Sequence, residues 1–129
     1  MEKKIVLITG ATSGIGAACA RKFAAGGYRL IVTGRNTDKL NALKTELEAG
    51  GTEVLPLVFD VRDRKAAHDA VASLPEEWNK VDVLINNAGL ALGLEKEYEG
   101  DEDDWATMID TNIKGLLTMT RLIVPGMVA

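Results

Sequence analysis

Cysteine, proline, histidine and aromatic residues are all scarce in this chain. Among its 129 residues there are one cysteine, three prolines and one histidine, and aromatic residues make up 5%. A lone thiol, Cys19, excludes an internal disulfide and a cysteine-based metal site, and it fits a reducing, cytoplasmic setting. A lone histidine, His68, has no partner with which to form a triad or a metal site and reads as a surface residue. Long apolar runs are also missing. The run behind Lys3 and Lys4 reaches only Ile8, too short for a signal segment or a membrane span. Nor is there an excess of positive charge: 15 Lys and Arg stand against 19 Asp and Glu, a formal net charge of −4, which disfavours sequence-independent binding to phosphate backbones. The expected partners are therefore neither nucleic acid nor membrane.

What remains is the composition of an ordinary globular domain, 47% hydrophobic and 26% charged, which excludes disordered and fibrous classes. Glycine is abundant at thirteen residues, suggesting tight turns and close backbone approaches. The acidic charge is concentrated between residues 95 and 104, where seven carboxylates face one lysine. This reads as a solvated loop entering a helix whose positive N-terminal dipole favours Asp103 and Asp104.

Four short branched apolar runs stand out: Ile5 to Ile8, Leu30 to Val32, Val54 to Phe59, and Val81 to Ile85. Continuous hydrophobicity is the pattern of a parallel strand covered on both faces. Between the runs lie helical stripes. Ile15, Cys19 and Phe23 recur at four-residue steps before Gly26-Gly27. Leu40, Leu43 and Leu47 precede Gly50-Gly51, with Asp38 near the N-cap. Ala67, Val71 and Leu74 follow a cap at Asp63 and run until Pro75. A last helix is expected from near Asp103, with Trp105, Met108, Ile109, Leu116 and Ile123 on one face, ending before Pro125-Gly126. Alternating strands and helices imply right-handed crossovers and an α/β architecture. The reading is a Rossmann-like doubly wound parallel sheet with strand order 3-2-1-4, the remainder of that sheet missing. Pro56 suits an edge strand, and strand 4 would be left as an exposed apolar edge prone to pairing.

The first strand leads directly into Gly10, Ala11, Thr12, Ser13, Gly14, Ile15 and Gly16, and then into a helix. Such a turn aims free backbone amides and the helix dipole at one point, where an anion should sit. Gly10 would permit the sharp turn, Gly14 the approach of a pyrophosphate, and Gly16 close packing of the helix on the sheet. After the second strand comes Thr33-Gly34-Arg35. An acidic residue here would suit the ribose hydroxyls of NAD, whereas Arg35 offers a guanidinium to the 2′-phosphate of NADP. Asp60 and Val61 follow the third strand at its carboxyl end, where Asp60 reads as a loop acceptor near a helix start.

The spacing Thr9-Gly10-x3-Gly14-x-Gly16, the tetrad Asn86-Asn87-Ala88-Gly89 after the fourth strand, and Asn112 in the next helix together resemble the short-chain dehydrogenase/reductase family. Leu90 to Gly93 and Met108 to Asn112 are similar to a narrower group, the NADP-dependent 3-hydroxy acid dehydrogenases. The resemblance implies an NADP-dependent oxidoreductase acting on a small hydroxy or keto compound. It assigns Asp60 and Val61 to the adenine and Asn87, Ala88 and Gly89 to the ribose motif. Asn86 would tie the fourth strand to its neighbour. Asn112, the one catalytic element expected, would support a water-linked proton relay from the apolar face of the last helix.

In that family a tyrosine followed four residues later by a lysine handles the alcohol proton. Here Tyr28 is followed at that distance by Val32, and Tyr98 by Glu102. Residues 1–129 are thus expected to form one dinucleotide-binding domain, incomplete on its C-terminal side and inactive alone, within an enzyme that is a homo-oligomer. The alternatives are a non-catalytic NADP-binding module and an inactive truncated fragment.

Overall fold

The computed structural model describes residues 3–89 and 102–128. The four apolar runs form strands β1 (Ile5–Ile8), β2 (Arg29–Gly34), β3 (Val54–Val58) and β4 (Val83–Ile85), all parallel, in the order β3-β2-β1-β4. Between them run α1 (Gly14–Ala25), α2 (Thr37–Ala49) and α3 (Arg64–Ala72). A last helical stretch comprises α4 (Glu102–Ile109), a π-helical segment (Asp110–Gly115) and α5 (Leu116–Val128). This is the expected Rossmann-like sheet, and Pro56 lies on the edge strand β3, opposite Val32.

Side chains alternate across β1, so one strand feeds two cores. Val6 and Ile8 pack with Ala20, Leu40, Leu43 and Leu47 under α1 and α2, while Ile5 and Leu7 pack with Ala67, Met119 and Ile123 under α3 and α5. Burial on both faces is why β1 and the centre of β2 tolerate no polar alternation. The fourth strand begins two residues later than expected, because Asp82 is used as a clamp. Its carboxylate accepts the Ile5 amide at 2.8 Å, and its own amide donates to the Ile5 carbonyl at 2.9 Å. The apolar edge is thus three residues long, all half-buried.

Several local expectations are corrected. The cap of α2 is Asn36, whose side-chain oxygen accepts the Lys39 amide at 3.0 Å, and Asp38 lies in the first turn instead. Asp63 does cap α3. The inner face of α1 is Gly16, Ala17 and Ala20, whereas Ile15 is 73% exposed. Pro125 does not stop the last helix, which continues to Val128. The bond lost at the Arg121 carbonyl falls in an exposed last turn, where water can replace the missing donor.

The largest correction concerns the face of that helix. Its buried line is Thr111, Gly115, Met119 and Ile123, while Ile109 is 47% and Leu116 39% exposed. A π turn admits an extra residue and rotates the helix beyond it, so spacing counted at 3.6 residues per turn across residues 110–115 points to the wrong side. Asn112 therefore lies off the buried line and is exposed. The acidic stretch up to Asp101, Tyr98, Leu90 to Gly93 and the side chain of Trp105 lie outside the described residues.

The remaining readings concern packing. His68 is exposed, and Cys19 packs half-buried against the first core. Tyr28 meets Phe23 edge to face at 5.2 Å, and Trp78 carries the Arg29 guanidinium 4.1 Å above its ring. Among the described residues no helix is long and apolar enough to cross a membrane, and no cluster of His, Cys, Asp and Glu could hold a metal ion.

Candidate functional site

The chain moves outward on one side of β1 through β2 to β3 and returns on the other side as β4. The order therefore reverses between β1 and β4, and a crevice opens at the carboxyl ends of the strands. Its floor is the turn between β1 and α1. Gly10 takes φ +60°, a conformation that favours glycine, and a Cβ there would also come within 2.8 Å of the Ala88 Cα. Ser13 caps α1, its hydroxyl accepting the Gly16 amide at 3.3 Å and donating to the Gly10 carbonyl at 2.9 Å. Gly14 and Ile15 are the first two helical residues, so their amides have no acceptor within the helix.

The three glycines have different reasons. At Gly16 a Cβ would run into the Gly10 carbonyl oxygen and lie 2.6 Å from the Asn87 Nδ2, so its constraint is its own loop rather than the sheet. At Gly14 a Cβ would meet no protein atom within 4 Å. Its small size serves no packing within the fold.

The segment after β4 is tied to this turn by one buried hydroxyl. Thr9 Oγ1 accepts the amides of Asn87 at 3.0 Å and Ala88 at 2.9 Å and donates to the Ile85 carbonyl. The Asn87 side chain points inward, its Nδ2 donating to the Gly10 carbonyl and to Ser13 Oγ, each at 3.0 Å. Asn86 reaches helix α5 rather than a strand, donating to Thr120 Oγ1 at 3.0 Å.

The cleft wall brings together Gly10, Thr12, Ser13, Arg35, Asp60, Val61, Ala88 and Gly89 from the expected set. Ala11 is not on it; it is fully buried, and its amide donates to the Thr33 carbonyl at 3.0 Å. Gly14, Ile15, Gly16, Asn87 and Asn112 stand outside the wall, although Asn112 leans on it: a Cβ at Gly89 would lie 3.0 Å from Asn112 Oδ1.

Besides Gly34 and Phe59 of the wall, sequence reading missed three contributors. Thr33 and Thr111 also line the cleft, and each has a buried hydroxyl oxygen without a hydrogen-bond partner. A buried hydroxyl is normally paired, and these two are left without a partner beside the cleft. The third is Arg62, which binds the Asp60 carboxylate through Nε and Nη2, closest at 2.7 Å, and donates its amide to Oδ1 at 2.9 Å. These bonds from Arg62 hold the Asp60 carboxyl below its ordinary range, against a smaller opposing effect of burial. Arg35 Nη1 lies 3.9 Å from the same carboxylate, with its side chain 62% exposed. The Asp-x-Arg spacing across a tight turn was the available signal for this pair.

Residues 4–129 match the family model described as short chain dehydrogenase. The NADP-dependent 3-hydroxy acid dehydrogenase YdfG of Salmonella typhi is 54% identical over 124 residues, covering 96% of this chain and 49% of that protein. A probable NADP-dependent dehydrogenase of Haemophilus influenzae is 51% identical over 129 residues, covering 100% of this chain and 50% of that protein. The crystal structure of serine dehydrogenase from Escherichia coli, 50% identical, superposes with a TM-score of 0.90 over 96% of this chain and 56% of that one. A closed form of serine dehydrogenase complexed with NADP+ superposes equally well, with 96% and 49% covered. The chain spans about half the length of the curated relatives it matches. With the family model matching residues 4–129 and the same fold in the solved relatives, this chain belongs to the short chain dehydrogenase family.

Proposed function

We propose that these residues form the NADP(H) site of an oxidoreductase that exchanges a hydride with a small hydroxy or keto compound, with 3-hydroxy acids as the substrate class. The observation that carries this reading is Arg35, an exposed guanidinium on the cleft wall at the end of β2, where an NAD-selective site would carry a carboxylate. The amides of Gly14 and Ile15, without an acceptor in the helix, support it. So do the relatives, whose names or bound ligand are NADP.

In this reading the amides of Gly14 and Ile15 take the pyrophosphate and Arg35 the 2′-phosphate. Asp60 and Val61 face the adenine, and the Asn87 to Gly89 segment supports the ribose. Bound there, the nicotinamide cofactor supplies or accepts the hydride. Asn112, beside Gly89, is proposed to support the proton relay. No tyrosine in the 129 residues is followed four residues later by lysine, so these residues alone are proposed to bind cofactor without turnover. A homo-oligomer is proposed for the whole protein; the exposed Ile113, Leu116 and Leu117 of the last helix support an apolar contact there.

A charge-assisted bond contributes roughly 1.5–3 kcal/mol, and the exposure of Arg35 argues for the lower end, about tenfold in affinity. Titrating NADP+ and NAD+ before and after Arg35→Ala tests the reading. The preference for NADP+ should fall about tenfold; an unchanged ratio overturns the assignment.

A further inference from the structure

Asp60 stands where a repulsive group is least wanted. Its carboxylate lines the cleft beside Arg35, 3.9 Å from the guanidinium that the proposed function assigns to a phosphate dianion. A carboxylate one guanidinium away from a dianion opposes it over a distance at which partly buried charges still interact. An Asp60 left to itself would cancel much of what Arg35 contributes.

It is not left to itself. Arg62 grips it through Nε at 3.0 and 3.1 Å and Nη2 at 2.7 Å, with the Arg62 amide bonded to Oδ1 as well. Arg62 is absent from the cleft wall and lines a neighbouring hollow with Asp110 and Lys114, so it holds the carboxylate without being part of that wall. The other acid that attracts it, Asp110 of the π-helical segment, is itself paired with Lys114 at 3.4 Å. With Arg62 in place, the Arg35, Asp60 and Arg62 cluster carries one net positive charge; without it, none.

We propose that Arg62 is a specificity-determining residue that acts through Asp60: by neutralising and orienting that carboxylate, it lets one cleft hold both an acidic group and the 2′-phosphate of NADP(H). This rests on the reading that Arg35 receives that phosphate. Arg62 is thus a positioning residue, and its effect is confined to the ligand that carries the extra phosphate.

The test is equilibrium titration of the protein with NADP+ and with NAD+, comparing Arg62→Ala, Arg62→Lys, Asp60→Asn combined with Arg62→Ala, and Arg35→Ala. Arg62→Ala should weaken NADP+ roughly three- to fivefold while changing NAD+ by less than about twofold. Arg62→Lys should keep most of the preference, since it keeps the charge. Asp60→Asn in the Arg62→Ala background should restore the NADP+ to NAD+ ratio, whatever it does to the affinity for both. Equal weakening of the two cofactors, no change in either, or a ratio that Asp60→Asn does not restore would each overturn the proposal. Arg35→Ala separates the two levels of inference. If it lowers the ratio while Arg62→Ala does not, only the role of Arg62 falls; if it leaves the ratio unchanged, the cofactor reading beneath it falls as well.

Discussion

The hydroxyl of Thr9 receives the backbone hydrogen of Ala88 at 2.9 Å, joining the end of β1 to the segment after β4 across 79 residues of sequence. Thr9 is 1% exposed, so the bond is shielded from water, and the same oxygen also accepts the Asn87 amide. Together with the Asn87 side chain on the Gly10 carbonyl, this contact fixes how far apart the glycine turn and the segment after β4 stand.

Thr9→Val keeps the shape and removes the acceptor. Asn87 retains the Ile85 carbonyl at 3.1 Å, but the half-buried Ala88 amide loses its acceptor. The expected loss is about 1–3 kcal/mol in denaturant unfolding, with weaker cofactor binding, whereas Thr9→Ser should lose no more than about 1 kcal/mol. Equal losses in the two variants would show that the hydroxyl is not what joins the segments.

Gly14 and Gly16 should separate binding from folding. Gly16→Ala drives a methyl into the Gly10 carbonyl and should destabilise the fold by about 2–3 kcal/mol. Gly14→Ala meets no protein atom, so the melting temperature should stay within the shift of about 0.5 kcal/mol while NADP+ affinity falls. Thermal melts with and without NADP+ measure both effects.

Gly115 faces Val61, where an added Cβ would lie 2.8 Å from Cγ2 and 3.2 Å from the carbonyl oxygen. Alanine favours a helix by up to about 1 kcal/mol, yet Gly115→Ala should destabilise by about 1–2 kcal/mol because both the stiff Val61 side chain and its backbone carbonyl would have to give way. Pairing it with Val61→Ala should recover about 1 kcal/mol in a double-mutant cycle. Additive losses would mean that the helix and Val61 are not in contact.

Acid should weaken the protein partly through Asp60. Its folded-state ionisation lies below the ordinary value of 3.8, with the Arg62 hydrogen bonds as the largest cause. A depressed folded value gives stability that is present above the unfolded value and is lost as pH falls through the folded one. Denaturation midpoints measured from about pH 5 down to about pH 2 should fall less steeply in Asp60→Asn than in the wild type. Identical acid limbs would show that the pair does not contribute.

Much of this protein is set by local rules. Branched apolar runs between glycine-ended stripes suit parallel strands between helices, so the parallel sheet was legible in them, and its 3-2-1-4 order followed from the doubly wound template that the strand-turn-helix at Ile5 to Gly16 suggests. Asp63 as a cap and Pro56 at an edge were legible in the same way, since each depends on backbone groups within a few residues. What only the tertiary structure decided depends on partners distant in sequence or on a shift of register. The Asp82 clamp on Ile5, the inward turn of Asn87 toward Gly10, and the unpartnered hydroxyls of Thr33 and Thr111 come from residues that meet only once the sheet is assembled. The π turn at Asp110–Gly115 moved Asn112 off the buried line, because helical periodicity predicts a face only while the helix keeps its pitch. Arg62 and Asp60 are two residues apart, yet their effect on the site was hidden as well. Composition counts their charges, but only the fold determines that Asp60 lines the cleft and that Arg62, off its wall, holds the carboxylate.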